Sequence, residues 1–359
     1  MTSQTPAFSK PIRVVVADDS AFMRRLISDA LTERGAQVVG VGRDGDEALA
    51  LCAQHRPDVL SLDLAMPGKD GIGVLRELRR IGSPVAVVVV SAFSPAHGAR
   101  AVDALAEGAV ELVAKPSGSA LASGFFRELY DKMCLAAISR RPRAAAAPAS
   151  PRPAAPAPRP PLTPAGLSRR STGMTRTVVI ACSTGGPKAL ATLIPALPAT
   201  LGGGAVIVQH MPPGFTASLA TRLDNASGLT VCEARGGERL SPSTALVAPG
   251  GRHLHLREGG LVALGDEPEV GGLRPRADIT IRDAAAVFGE RLLLVVLTGM
   301  GKDGLEGARD VKRLGGRILV EAESTCTVYG MPRAVAEAGL ADNVLPLHEL
   351  HAAIAAEAA

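Results

Sequence analysis

Between residues 12 and 138, short apolar runs alternate with segments in which apolar side chains recur every three to four positions. The runs near 12–17, 38–41, 59–62, 85–90 and 110–113 read as buried strands, and the segments near 20–34, 45–54, 71–80, 97–107 and 122–138 as helices. Five such units in succession predict a parallel, doubly wound sheet with helices on both faces. The last helix mixes charge with apolar residues at helical spacing, the pattern of a core-packing helix.

The pattern then breaks. Residues 142–164 hold nine Pro among Ala and Arg, which cannot bury enough apolar surface to fold and predicts a stiff, extended, solvated tether. Beyond Thr177 the alternation resumes, with strands expected near 178–181, 205–209, 229–232, 245–248, 292–297 and 317–320. Helices are expected near 187–196, 214–223, 279–289, 304–314, 332–338 and 347–358, and a hairpin at 254–264 turning on Glu258-Gly259-Gly260. The expected division is a first domain over 11–138, a linker over 139–174 and a second domain over 175–358. A chain of 359 residues can furnish two cores of this size.

Charge and composition narrow the function. The net charge is +4, but residues 141–172 carry six Arg and no acid, so the remainder stands at −2 and no nucleic-acid-binding face is indicated. Five scattered cysteines without C-x-x-C spacing argue against a zinc ribbon or disulfide scaffold and fit a reducing cytoplasm. The N-terminus lacks a charged segment followed by an apolar one, and the longest apolar runs are too short to span a bilayer, so neither export nor membrane insertion is expected.

The chemistry gathers at strand ends. Val14-Val15-Val16-Ala17 runs into Asp18 and Asp19, and Val59-Leu60-Ser61-Leu62 into Asp63. Three acids at one sheet edge would repel one another unless a hard divalent cation such as Mg²⁺ offset the charge, leaving Asp63 as a nucleophile towards a phosphoryl group. Two further strands end in Ser91 and in Lys115-Pro116, a hydroxyl and an ammonium suited to sensing and neutralising phosphate oxygens. Together with Asp63-Leu64-Ala65-Met66-Pro67 and Asp70-Gly71, these parts resemble bacterial response-regulator receiver domains over about residues 11 to 130. The resemblance implies a flavodoxin-like fold, Asp63 as acceptor of phosphate from a histidine kinase, and Asp18, Asp19, Asp63 and the Ala65 carbonyl as Mg²⁺ ligands. It also implies Ser91 and Lys115 as switch residues. Leu112 stands where many receivers carry an aromatic switch residue, which argues against an aromatic-flip output.

In the second half, three strands end in Ser183, His210 and Asp303. Ser183-Thr184-Gly185-Gly186-Pro187 forms a tight strand-to-helix turn whose backbone N–H groups and helix dipole face what Ser183 would attack. His210 is offered as the base a serine hydroxyl needs, and Asp303 as the carboxylate that orients the imidazole. The chain order Ser, His, Asp and the absence of Gly-x-Ser-x-Gly match none of the familiar serine hydrolase layouts.

These blocks, with Gln209-His210-Met211-Pro212-Pro213-Gly214-Phe215-Thr216, Ala248-Pro249-Gly250-Gly251-Arg252-His253, Thr298-Gly299-Met300-Gly301-Lys302-Asp303-Gly304 and Tyr329-Gly330-Met331-Pro332, resemble the chemotaxis protein-glutamate methylesterases. The resemblance covers nearly the whole chain outside the linker and implies a Rossmann-like catalytic domain behind the receiver. It implies Ser183 as nucleophile, His210 as base, Asp303 as orienting acid, the Met300 N–H as oxyanion donor with Thr184 close by, and no cofactor for the esterase chemistry. The implied substrates are γ-glutamyl methyl esters on the cytoplasmic helices of methyl-accepting chemoreceptors, releasing methanol, with deamidation of receptor glutamines as a second reaction it admits. Two departures stand out: Cys182 in place of a smaller residue, and the unusually long linker.

Other readings carry less. Gly299-x-Gly301-x-x-Gly304 mimics a dinucleotide fingerprint but has no partner acid on a following strand. His253 and His255 share a strand face without a third ligand, so ordinary surface or supporting histidines are favoured over a metal pair. Cys182 should face away from Ser183 and pack as a small buried thiol. The main alternative in function is a response regulator whose second domain binds receptors without catalysis.

Overall fold

The computed structural model describes residues 10–92, 95–116, 123–140 and 175–359. Most of the expected tether, 141–174, lies outside the described residues. The first half carries β1 (Arg13–Ala17), α1 (Ala21–Glu33), β2 (Gln37–Gly42), α2 (Gly45–His55), β3 (Val59–Leu62), α3 (Gly71–Arg80), β4 (Ala86–Ser91), α4 (Pro95–Glu107), β5 (Glu111–Ala114) and α5 (Ser123–Arg140). Its five strands are parallel in the order β2-β1-β3-β4-β5. The strand order reverses between β1 and β3, the point at which open α/β sheets leave a crevice beyond their carboxyl ends.

Local chemistry explains the breaks between elements. Ser20, Asp44 and Asp70 cap α1, α2 and α3 by accepting backbone N–H groups of each first turn. Between the helical layers the strands are dry: Val14, Val15, Val16, Val88 and Val89 have no exposed surface. Each such residue contributes about 1.5–3 kcal/mol of apolar burial. On α5, Leu129, Met133, Cys134, Ala136 and Ala137 are buried, and the helix packs on β4 and β5, as the helical spacing required.

The second half opens with β6 (Thr177–Cys182), α6 (Gly186–Leu193), β7 (Ala205–Gln209), α7 (Phe215–Ala226), β8 (Thr230–Glu233) and β9 (Thr244–Val247). An antiparallel hairpin of β10 (His253–Arg257) and β11 (Leu261–Gly265) follows, then α8 (Ala277–Phe288), β12 (Leu292–Val296), α9 (Leu305–Arg313) and β13 (Arg317–Glu321). The chain ends with α10 (Met331–Glu337), β14 (Asn343–Leu345) and α11 (Leu347–Ala358). Seven strands form one parallel sheet in the order β14-β13-β12-β6-β7-β9-β8. Strand β14 escaped the sequence pattern because it is a three-residue edge strand closed by Pro346, too short to show a period.

The order places β6 between β12 and β7, so the chain leaves β6 in one direction and later returns on its other side. That is the topological switch point, and Ser183, His210 and Asp303 follow the three strands that meet there. The two halves touch. Helix α4 packs on α7, Asp103 is ion-paired with Arg222, and one apolar cluster runs from Ala101 and Leu105 into Leu190 and Leu219.

Candidate active site and phosphorylation site

At the receiver edge, Asp18 and Asp63 are buried and Asp19 is exposed. One carboxylate oxygen from each lies within 4.8 Å of the others. Lys115 reaches in from the end of β5, its Nζ 2.7 Å from Asp18 Oδ2 and 2.6 Å from Asp63 Oδ2. Burial raises the Asp18 carboxyl above its ordinary range, only partly opposed by Lys115. For Lys115, burial pulls downward, but the two carboxylates prevail and its ammonium is held more tightly than usual. Three convergent hard oxygens with a surplus of negative charge suit Mg²⁺, so the residues fit the ion the sequence implied. The exposed Ala65 donates its N–H to Asp63 Oδ1, and the buried Ser91 accepts the Lys115 N–H at its carbonyl, 2.8 Å away.

At the other sheet, Ser183 stands at the end of β6, half-buried, its N–H donating to Thr298 O at 3.0 Å. The turn into α6 requires glycine: Gly185 has φ +81°, and a Cβ there would lie 2.5 Å from Thr327. Gly299 lies so close to Ser183 that a Cβ on it would come within 2.9 Å of the serine Cβ. The 299–301 loop, which carries Met300, is thereby seated against the serine.

His210 Nε2 lies 2.8 Å from Asp303 Oδ2. The carboxylate can only accept, so Nε2 carries the proton and Nδ1 is the nitrogen left as a base. No hydrogen bond joins Ser183 Oγ to the imidazole in this structure; such contacts commonly close when substrate is in place. Asp303 is buried and heavily solvated by protein: its oxygens accept from the N–H groups of Ala277, Asp278 and Gly304 as well as from His210. Burial alone would raise its carboxyl, but His210 and the backbone donors hold it well below the ordinary carboxylate range.

Several contributors were not legible as site residues. Gln209, buried at the end of β7, donates both amide hydrogens, one to Ser183 O and one to His210 O, each at 3.0 Å. It ties the strand end bearing the serine to the one bearing the histidine. Arg276 and Asp278 open α8 beside Asp303, the guanidinium 2.8 Å from Asp278 Oδ2 and 3.4 Å from Asp303 Oδ1. The available signal was two charges flanking the start of an apolar-periodic helix, a pattern that ordinarily marks a solvated first turn. Glu321, fully buried at the end of β13, accepts the Thr298 N–H at 2.8 Å, and burial raises its carboxyl above the usual range.

The remaining candidates resolve into support. His253 is buried, not at the surface: its Nδ1 accepts the Arg276 N–H, while His255 is engaged with Asp283. Among the described residues, Asp18, Asp19 and Asp63 are the group of three or more side chains placed to hold a metal ion. Cys182 is buried behind the serine, its thiol pushed up by desolvation. Thr184 Oγ1 donates to Glu111 Oε2 of the receiver half at 2.7 Å, which puts a receiver carboxylate next to the serine's neighbour.

Comparison with known proteins agrees at both ends of the molecule. Residues 14–122 match the response regulator receiver domain model and residues 178–354 the CheB methylesterase model. A protein-glutamate methylesterase/protein-glutamine glutaminase of Symbiobacterium thermophilum is 47% identical over 359 residues, covering 96% of each chain. One of Geobacillus kaustophilus is 42% identical over 350 residues, covering 96% of this chain and 98% of its own. A crystal structure of the Thermotoga maritima CheB methylesterase catalytic domain is 45% identical, covers 50% of this chain and 97% of its own, and superposes with a TM-score of 0.49. With agreement running through receiver and methylesterase halves alike, the chain belongs to the protein-glutamate methylesterase/protein-glutamine glutaminase family.

Proposed function

We propose that this protein hydrolyses γ-glutamyl methyl esters on the cytoplasmic domains of chemoreceptors, and that phosphorylation of its receiver switches the activity on. The observation that carries the reading is the 2.8 Å contact between His210 and a buried Asp303, on strand ends flanking the one that bears Ser183. Ser183 Oγ adds to the ester carbonyl as His210 Nδ1 takes its proton. The same proton then passes to the departing methoxide, which leaves as methanol. Water, deprotonated by His210, cleaves the acyl-serine to a glutamate carboxylate and restores the hydroxyl. The Met300 N–H, seated beside Ser183, is the oxyanion donor, with Thr184 close by. A glutamine substrate releases ammonia by the same steps.

The residues divide as receiver over 11–138, linker over 139–174 and catalytic domain over 175–358. A histidine kinase supplies the phosphoryl group to Asp63, within the reducing cytoplasm the cysteine pattern fits. When bound by Asp18, Asp19, Asp63 and the Ala65 carbonyl, Mg²⁺ neutralises charge that the incoming phosphoryl oxygens add. Lys115 and Ser91 read out the new charge. The packing of α4 on α7 and the Glu111–Thr184 hydrogen bond support a receiver that restrains the Ser183 edge until this happens. A differential docking energy of about 1–3 kcal/mol is sufficient for such a switch.

The test is methanol release from methylated receptor fragments by the full chain and by Ser183→Ala, each with and without a small phosphodonor and Mg²⁺. Release that needs Ser183 and rises with the donor is the expected result. Absence of release from a parent that incorporates phosphate would return the second domain to a receptor-binding role without catalysis.

A further inference from the structure

The environment of Asp303 contains more charge than an orienting acid requires. Asp278 is also buried; its Oδ1 accepts the N–H groups of Gly304 and Gly307, both at 2.9 Å, and its Oδ2 accepts from Arg276. Arg276 therefore spans two buried carboxylates. With Asp303 and Asp278 ionised and Arg276 charged, the cluster carries −1 at rest. It becomes neutral when His210 takes the serine proton.

We infer that Arg276 and Asp278 are positioning residues that set, through Asp303, the pH range in which His210 serves as a base. The inference rests on the triad reading given above and extends it to the charge balance behind the acid. Removing Asp278's charge makes protonation of His210 less favourable, and removing Arg276's makes it more favourable. The remaining charged groups of this edge are accounted for. His253 of β10 accepts the Arg276 N–H at Nδ1, so that nitrogen is turned to the backbone and not to Asp303. Lys302 is exposed beside Asp303 without an ion-pair partner among the described residues. Glu321 is turned to the Thr298 N–H, and Glu111 to Thr184. Besides His210, the Asp303 carboxylate meets the Arg276 guanidinium and faces the Asp278 carboxyl, which burial and the neighbouring Asp303 charge push upward against the pull of the Gly307 N–H and Arg276. Asp278 tunes that contact, since its own carboxylate holds the same guanidinium.

The experiment follows phosphonylation of Ser183 by a fluorophosphonate, and kcat/KM for methanol release, as functions of pH in the full chain. In Asp278→Asn the acid limb of both profiles should move to lower pH by roughly one unit. In Arg276→Gln it should move up by a similar amount, and Arg276→Lys, which keeps the charge, should lie near the parent. A purely structural role would lower the rates of both charge-removing variants and leave the limbs where they were. Limbs that coincide, or that move in the same direction, overturn the inference. Should Arg276→Gln fail to fold, Asp278→Asn decides, because its amide oxygen still accepts from Gly304 and Gly307. A parent that neither labels at Ser183 nor releases methanol overturns the hydrolase reading as well; a labelled parent whose variants share its profile overturns this inference alone.

Discussion

The two sheet edges solve the same problem, holding buried acid, in opposite ways. At the receiver edge Asp18 and Asp63 are held by a single cation, Lys115, and remain one negative charge in excess even before Asp19 is counted. At the catalytic edge Asp303 is held by His210 and, on its other side, by backbone N–H groups that cannot move without moving α8 and α9. A charge balanced by a mobile side chain is easily reset by an arriving phosphoryl group; one balanced by fixed dipoles stays in place through a proton transfer. The first arrangement suits a switch and the second suits catalysis.

The contrast can be broken most sharply at Asp303. Asp303→Asn keeps the shape but presents the wrong tautomer partner to His210, and kcat should fall by about 10⁴-fold with the fold intact by circular dichroism. A fall of less than tenfold would remove Asp303 from the proton path. At the other edge, Lys115→Ala leaves two buried carboxylates facing each other, so the receiver transition should drop by about 3 kcal/mol. Mg²⁺ should then stabilise the variant more than the parent in calorimetry. An equal Mg²⁺ response in both proteins would show that the cation balance is not what holds this edge.

Gln209→Leu tests whether the serine and histidine strand ends need their amide tie. The expected cost is roughly 10- to 100-fold in kcat with KM unchanged, because the reacting groups lose registry and not substrate. A rise in KM alone would point to a binding role instead. The smallest effect concerns Glu321. Its carboxyl titrates higher in the fold than in the unfolded chain, so the fold holds the proton more tightly and burial of this group becomes costlier as pH rises above about 4.3 towards the folded value. Glu321→Gln, which still accepts the Thr298 N–H, should therefore gain roughly 2–4 °C in Tm over the parent at pH 8 and little at pH 4. A difference independent of pH would contradict a raised carboxyl.

Much of this was legible in the chain. Strand runs ending in Asp18, Asp63, Ser183, His210 and Asp303 announce both edges, because period and turn chemistry are local properties. The same locality hid β14, which is too short to show a period, and Gln209, whose motif neighbours drew attention while its two bonds join residues 26 positions and one position away.

The sequence by itself determined two α/β halves, their break in a proline-rich segment, and which side chains stand at strand ends, since these follow from apolar spacing and from the φ limits of Gly and Pro. Only the tertiary structure decided that β6 lies between β7 and β12, that Arg276 and Asp278 stand behind Asp303, and that Glu111 reaches Thr184. Strand order and helix packing bring together residues tens of positions apart, and no local pattern records which distant partner will lie opposite a buried charge.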